Sequence, residues 1–175
     1  MITYAEMTKE QAHKIAEIDR SETIDFIYSY SYGQLQETAT NHEAPGWDDG
    51  LIRELQERFQ YELSNGGMAI GAYDGELLVG FGVLGHKFRG MERNQLQVDL
   101  MYVSRNYRRK GIGTRILDEL SDEARRRSAK YLYISSTETR SAVYFYKNNG
   151  GEITDTVDLE LFEKEPHDIH MIKKL

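Results

Sequence analysis

The sequence contains no cysteine and only two prolines among its 175 residues. Without cysteine, the chain can form no disulfide, thiolate zinc site or cysteine nucleophile. Its five histidines are also poorly spaced for a metal, because His167 and His170 would point to opposite faces of a strand, so no metal is expected. No apolar run approaches the roughly 18 residues of a membrane helix, and the N-terminal segment lacks the apolar stretch of a secretory signal. We therefore expect a cytoplasmic protein with no membrane contact.

Positive charge is scarce outside one segment of the chain. Residues 105–130 contain nine Lys or Arg against four acidic residues, a local charge of +5, whereas the whole chain carries −7 and the remainder therefore −12. This asymmetry indicates a localised anion site on a protein whose other ligands are neutral or cationic. Binding to nucleic acid is not expected, because it usually requires a basic face across the whole domain.

The spacing of apolar residues predicts a mixed α/β protein, and the length of the chain favours one domain over residues 1–175. Asp48 or Asp49 is expected to cap a helix that runs to Leu63, and Asp74-Gly75 is expected to turn a hairpin. Residues 20–50 are expected to be irregular. The predicted order is β, α, α, β, β, β, α, β, α, β, β, with the last two strands near 152–162 and 167–174.

The segment NQLQVDLMYV, residues 94–103, predicts a strand with two distinct faces. Strict alternation would place Leu96, Val98 and Leu100 on one face, because successive side chains of a strand point in opposite directions. The other face would then carry Gln97, Asp99, Met101 and Val103.

The segment RRKGIG, residues 108–113, follows this strand and opens a helix expected over about 110–128. A helix N-terminus has unpaired N–H groups and a partial positive charge, and glycines there allow a phosphate to approach the backbone. A solvated charge run with glycines that only shape a turn is the alternative interpretation. A dinucleotide-binding loop is not indicated, because its third glycine would fall at Ile116, and the P-loop pattern is also absent.

The pattern from Arg108 to Gly113 resembles the (Gln/Arg)-x-x-Gly-x-(Gly/Ala) signature of the GNAT superfamily of N-acetyltransferases. It follows a strand that ends in Met101-Tyr102-Val103, as is typical of that family. The downstream segments Thr139-Arg140-Ser141-Ala142 and 145–150, FYKNNG, are also similar to the family pattern. Thr139 stands where the family usually has asparagine, and Gly151 stands where phenylalanine is common.

The resemblance implies a single acetyltransferase domain over 1–175 with a GNAT-like, largely antiparallel sheet of about six to seven strands flanked by about four helices. It implies acetyl-CoA as co-substrate and a primary amine as acceptor. The pantetheine arm would pair with the end of the strand at 101–103, and the pyrophosphate would bind the loop. The implied cofactor-binding residues are Met101, Tyr102, Val103, Arg108, Arg109, Lys110, Gly111, Ile112, Gly113, Thr114, Thr139, Ala142 and Tyr146.

Two side chains are candidates for moving protons. An amine with a pKa near 10 is protonated at neutral pH, so a base must remove a proton before the nitrogen attacks. Asp99 is the first candidate base, because several family members that acetylate small amines have an acidic residue at the matching position. Tyr146 matches the family's tyrosine general acid, which protonates the leaving thiolate. The alternatives are that Asp99 only attracts the cationic substrate and that Tyr146 is a packed aromatic residue.

The acceptor is expected to contact the region between the first two helices, because that region usually lines the acceptor pocket in this family. It combines aromatic residues with several carboxylates, a composition suited to an organic cation. We therefore expect a small polyamine-like or aminoglycoside-like amine. A protein or peptide N-acetyltransferase and a non-catalytic acyl-CoA-binding module are the alternatives, and a homodimer is left open. The expected substrate-binding residues are Tyr28, Tyr30, Tyr32, Trp47 and Asp99.

Overall fold

A seven-stranded sheet runs through the protein, and the computed structural model describes residues 1–175. Its neighbouring strands are antiparallel except for one central parallel pair, which confirms the expected mixed, largely antiparallel sheet. Two further strands form a separate hairpin. The strands are β1 (Ile2–Glu6), β2 (Glu22–Ser31), β3 (Gln34–Ala44), β4 (Met68–Asp74), β5 (Leu77–Arg89), β6 (Gln95–Val103), β7 (Tyr131–Ser136), β8 (Gly151–Ile153) and β9 (Ile169–Lys174), and their order in the large sheet is β1-β4-β5-β6-β7-β9-β8.

Four α-helices accompany the sheet; the first three were predicted, and the last lies where a strand was expected. The first predicted helix instead forms a 3₁₀ segment over Lys9–Glu17. None of the helices combines the length and the apolar character needed to cross a membrane. The α-helices are α1 (Asp49–Ser64), α2 (Ile112–Arg126), α3 (Arg140–Asn148) and α4 (Leu159–Lys164).

Helix α1 begins where the sequence predicts. The side chain of Asp48 accepts a hydrogen bond from the Leu51 N–H at 2.8 Å, which satisfies one of the free donors of the first turn. The helix buries Leu55 and Phe59 against the sheet. The hairpin predicted at Asp74-Gly75 is also confirmed, since it connects β4 to β5.

The apolar residues form two clusters, one on each face of the sheet. The larger cluster contains the inward faces of α2 and α3, including Ile116, Leu120 and Val143. The smaller cluster contains the 3₁₀ segment and α1, with Phe59 and Phe81 at its centre. The two faces of the central strands therefore meet different helices, a separation that decides which side chains can meet at the site.

The expectation that residues 20–50 are irregular is wrong over most of that range. Strands β2 and β3 pair from Glu22–Ala44 to Ser31–Gln34, and their turn places Tyr32 and Gly33 at φ of 51° and 77°. The strands were hard to detect because most of their residues are exposed or half-buried on both faces, which removes the apolar alternation on which strand prediction depends.

The strand expected near 152–162 is also wrong for most of its length. Strand β8 contains only three residues, and the chain then enters α4. The side chain of Asp158 accepts a hydrogen bond from the Leu161 N–H at 3.1 Å and so starts a helix at this point.

Strand β6 contains a bulge that breaks the predicted alternation. Val98 pairs with Leu84 and Leu100 pairs with Val83, so Asp99 is an extra residue without a partner on β5. Leu100 consequently turns to the α1 face, whereas Met101 packs with the α2 face. The predicted common face for Leu96, Val98 and Leu100 is therefore wrong.

Candidate active site

The two parallel strands β6 and β7 separate after a short paired region. They pair only from Gln95–Tyr131 to Gln97–Tyr133. Beyond that point residues 98–103 pair only with β5, and residues 134–136 pair only with β9. A cleft therefore opens within the sheet, with the predicted pantetheine-binding residues 101–103 on one wall. Backbone groups at an unpaired strand edge can bind an added extended chain.

The loop after β6 is fastened to the body of the protein by Arg108. Its guanidinium donates to the carbonyl oxygens of Val103 at 2.8 Å, Ser21 at 2.9 Å and Asp19 at 3.3 Å. Each of the three guanidinium nitrogens of Arg108, which was expected to bind the cofactor, thus donates to a backbone carbonyl. The adjacent Arg109 and Lys110 are exposed and supply the positive charge at this position.

Backbone N–H groups are concentrated at the start of α2. None of those from Arg109 to Thr114 donates to an atom of the protein, and the first helical bond runs from the Arg115 N–H to the Gly111 carbonyl at 3.0 Å. Gly111 has a φ of 81°, which disfavours any residue with a side chain. A Cβ atom on Gly113 would lie 3.0 Å from the Phe145 ring. The loop therefore presents a row of free donors at the positive end of a helix, which suits a phosphate group.

Helix α3 begins at Thr139, whose hydroxyl accepts a hydrogen bond from the Ala142 N–H at 3.4 Å. This local bond gives the threonine a capping role. About two turns after Thr139, Tyr146 is only 8% exposed within the larger cluster, and its hydroxyl has no hydrogen-bond partner in the protein. Burial raises the pKa of Tyr146, and interactions with Tyr102 and Asp168 raise it further. The hydroxyl therefore keeps its proton at neutral pH and, without a partner in the protein, is free to donate a hydrogen bond.

The bulge at Asp99 brings its carboxylate to Arg58 of α1. The Nε and Nη2 atoms of Arg58 donate to the two carboxylate oxygens, each at 3.0 Å, and Nη2 also donates to the Asp99 carbonyl at 2.8 Å. The Asp99 side chain is only 6% exposed. Both of its oxygens are thus engaged by the half-buried Arg58 guanidinium before any substrate arrives.

A cavity of about 180 Å³ lies at the start of β9, and Tyr28 and Tyr30 of β2 form part of its wall. Glu138 and Asp168 add carboxylates to it. The Tyr28 hydroxyl donates to Glu37 at 2.9 Å and the Tyr30 hydroxyl donates to Asp155 at 2.6 Å. Two further carboxylates therefore lie next to the tyrosines that line the cavity.

Asp168 is the one cavity group with a strongly raised carboxyl pKa. Burial raises the pKa of Asp168 to about 6, although a hydrogen bond from the Ser135 hydroxyl at 2.8 Å opposes the increase. Asp168 was not among the predicted site residues, because nothing local in the sequence distinguishes it. Its position depends on the pairing of β7 with β9, which a single sequence does not reveal.

The other two predicted aromatic contacts lie away from this cavity. Tyr32 is 99% exposed at the tip of the β2–β3 hairpin. Trp47 packs edge-on against Tyr102, with ring centroids 5.2 Å apart, and Arg20 lies 5.3 Å above its ring. The structure therefore brings Tyr28 and Tyr30 together and places Trp47 beside the β6 wall of the cleft.

Residues 32–150 match the family model described as the Acetyltransferase (GNAT) family. The chain belongs to the GNAT acetyltransferase family. The splayed strands and the free amides of the loop are thus parts of an acetyl-CoA-dependent N-acetyltransferase, as the sequence resemblance implied.

Solved structures share this fold over most or nearly all of the chain. A nourseothricin acetyltransferase superposes with a TM-score of 0.74 at 19% identity and covers 99% of this chain and 98% of its own. The PaiA N-acetyltransferase from Thermoplasma acidophilum, solved with coenzyme A, has a TM-score of 0.65 at 17% identity, and the match covers 100% of this chain and 99% of that structure's chain. An aminoglycoside 6'-N-acetyltransferase complexed with coenzyme A has a TM-score of 0.55 at 20% identity, and the match covers 73% of this chain and 81% of that structure's chain. No curated protein sequence is a significant match.

Proposed function

We propose that the protein acetylates a primary amine of a small organic cation, of the aminoglycoside or polyamine kind, by direct attack in a ternary complex with acetyl-CoA. The observation that carries this proposal is the cavity of about 180 Å³ lined by Tyr28, Tyr30, Glu138 and Asp168. Aromatic faces attract organic cations, and carboxylates attract ammonium groups. The names of two similar structures, a nourseothricin acetyltransferase and an aminoglycoside 6'-N-acetyltransferase, support the same substrate class.

The residues around the cleft suit acetyl-CoA, which would supply an activated acetyl thioester. The free N–H groups from Arg109 to Thr114 would hold its pyrophosphate, and exposed Arg109 and Lys110 would add charge attraction. Arg108 would act indirectly, because it holds the loop in place through three backbone carbonyls. The unpaired edge of β6 at 101–103 would bind the pantetheine arm and direct an N–H at the thioester carbonyl.

Tyr146 is proposed as the general acid. A thiol leaving group has a pKa of about 8.5, so a proton donor assists its departure. The Tyr146 hydroxyl is protonated, has no partner in the protein and belongs to the helix beside the cleft. A tyrosine that served only for packing would not need its hydroxyl, so Tyr146→Phe separates the two roles.

Asp99 stays a candidate for the base, but both of its oxygens already accept hydrogen bonds from Arg58. We favour a different contribution, in which the Asp99–Arg58 pair holds the bulged strand in place beside the cleft. Trp47 and Tyr32 lie outside the cavity, so we expect neither to decide the choice of amine. The cytoplasmic location, the single domain over residues 1–175 and the lack of a nucleic-acid partner stay predictions, and a homodimer stays open.

The test is release of coenzyme A thiol from acetyl-CoA in the presence of nourseothricin, kanamycin, spermidine and lysine-containing peptides. The proposal expects turnover on at least one of the small cations and little on the peptides. Turnover on peptides alone would support a protein N-acetyltransferase, and binding of acetyl-CoA without any turnover would support a non-catalytic module.

A further inference from the structure

Asp168 lies directly before β9, beside the end of β7. Its carboxylate accepts the hydrogen bond from the Ser135 hydroxyl through Oδ2, and its other oxygen accepts none within the protein. Its backbone N–H donates to the Glu165 carbonyl at 3.1 Å, which fixes the turn that carries it. One carboxylate oxygen is therefore positioned by the protein and the other is left for a ligand in the cavity.

Asp168 and Tyr146 approach the cleft from opposite faces of the sheet. Along β7, Leu132 and Ile134 pack with the α2 and α3 face, the face that also holds Tyr146. Because side chains alternate along a strand, Ser135 and the carboxylate bound to it lie on the other face. The negative charge of Asp168 nevertheless contributes to the raised pKa of Tyr146, so the two groups are close enough to interact.

This arrangement separates the two proton transfers that amide formation requires. An amine in the cavity would meet the cleft from the Asp168 face, whereas the thiolate would leave toward the Tyr146 face. A base and an acid on opposite sides of one cleft can act on the attacking and leaving atoms without competing for the same proton. Asp99 offers no comparable free oxygen, since Arg58 occupies both.

We propose that Asp168 is the catalytic base that takes the proton from the acceptor amine, an assignment that rests on the proposed acetyltransferase function. The ammonium group gives one proton to the Asp168 carboxylate, which later releases it to solvent. The freed nitrogen lone pair forms the C–N bond to the acetyl carbonyl carbon, and the electron pair of the broken C–S bond leaves on sulfur. Sulfur takes its proton from the Tyr146 hydroxyl, and the proton still in excess on nitrogen restores that hydroxyl through solvent.

The acid–base properties of Asp168 suit this role. A carboxyl group with a pKa of about 6 is mostly ionised at neutral pH and is a stronger base than an ordinary aspartate. Burial is the main cause of the raised pKa, Glu165 and Glu138 add to it, and Ser135 and Arg58 oppose it. The remaining titratable groups around it are Tyr28 and Tyr30 of β2, Tyr102 of β6, Tyr146 of α3, and His167 and His170 beside and within β9.

The first test uses Asp168→Asn with acetyl-CoA and nourseothricin, kanamycin and spermidine as probe amines. Asn keeps an acceptor for Ser135 but cannot take a proton, so kcat should fall by about 10²–10⁴-fold while calorimetry finds acetyl-CoA binding unchanged. A rise in KM with unchanged kcat would overturn the assignment, because it would mean that the carboxylate only attracts the cation. If the wild-type protein acetylates none of these amines, the proposed function fails and the base assignment fails with it.

The second test moves the pKa of Asp168 through its neighbours. In the wild type, kcat/KM should lose activity as the pH falls through about 6. Ser135→Ala removes a hydrogen bond that stabilises the carboxylate, so the acidic limb of the pH profile of kcat/KM should move to higher pH. Glu165→Gln removes a nearby negative charge, so the limb should move to lower pH. Opposite shifts in the two variants, with the activity at high pH retained, support the assignment, and a limb that neither variant moves would overturn it.

Discussion

Replacement of Asp168 by Asn should make the protein more stable at neutral pH while it removes activity. Burial raises the carboxyl pKa from 3.8 to about 6, so the folded protein carries an ionised group in an environment that disfavours the charge. The neutral amide avoids this cost and can still accept the hydrogen bond from Ser135.

The size of the effect follows from the difference in proton affinity between the folded and unfolded states. A pKa change from 3.8 to about 6 corresponds to about 3 kcal/mol, at about 1.4 kcal/mol for each tenfold change in affinity. The carboxylate is only part-buried in the wall of a cavity, and solvent there screens its charge. We therefore expect Asp168→Asn to raise the free energy of unfolding by about 1–2 kcal/mol at pH 7.5.

The sign of this effect depends on pH. A carboxyl group with a raised folded-state pKa is protonated in both states below pH 3.8, so it then carries no penalty. The penalty grows as the pH rises from 3.8 to about 6 and is fully present above that pH. The assay is denaturant unfolding of the wild type and Asp168→Asn at several pH values, with Glu163→Gln as an exposed acidic control on α4. A variant less stable than the wild type at pH 7.5, or a stability difference independent of pH, would refute the reasoning.

Three further predictions concern the cleft and the loop. Tyr146→Phe should lower kcat by about 10²-fold or more because the thiolate loses its proton donor, with acetyl-CoA affinity by calorimetry unchanged; an unchanged kcat would remove Tyr146 from the mechanism. Arg58→Met leaves the buried Asp99 carboxylate unpaired and should lower the free energy of unfolding by about 3 kcal/mol. The double variant Arg58→Met with Asp99→Leu should recover part of this loss. If the single and the double variant lose the same free energy of unfolding, the ion pair is not the cause. Gly111→Ala should weaken acetyl-CoA binding and lower stability by about 1 kcal/mol, because Gly111 has a φ of 81°. Gly111→Asn should lower stability by less, since Asn tolerates that conformation better. If the Asn variant loses as much stability as the Ala variant, backbone conformation is not the cause.

The loop and the helix start that we propose for the cofactor could be located because their signals are local in sequence. The charge run, the two glycines and the start of α2 lie within eight residues, and the strand before them and the helix after them have clear apolar patterns. The motif did not reveal that Arg108 binds backbone carbonyls, because two of its three partners, Asp19 and Ser21, lie about 90 positions away in the sequence.

The acceptor half was harder to predict because it depends on distant contacts. The β2–β3 hairpin is exposed on both faces and so lacks the alternation that marks a strand. The bulge at Asp99 adds one residue without changing the apolar character of β6, yet it sends Leu100 to the other face. Asp168 reaches Ser135 only because β9 pairs with β7, and β9 lies more than 30 residues further along the chain.

The most direct measurement is mass spectrometry of nourseothricin, kanamycin and spermidine after incubation with acetyl-CoA and the wild-type protein, with Asp168→Asn in parallel. The account predicts that at least one of these amines gains the mass of a single acetyl group on nitrogen, at a rate that the variant lowers by about 10²-fold or more. If acetyl-CoA binds but no small cation is modified, the account of the acceptor pocket is contradicted. If Asp168→Asn works as fast as the wild type, the account of the base is contradicted.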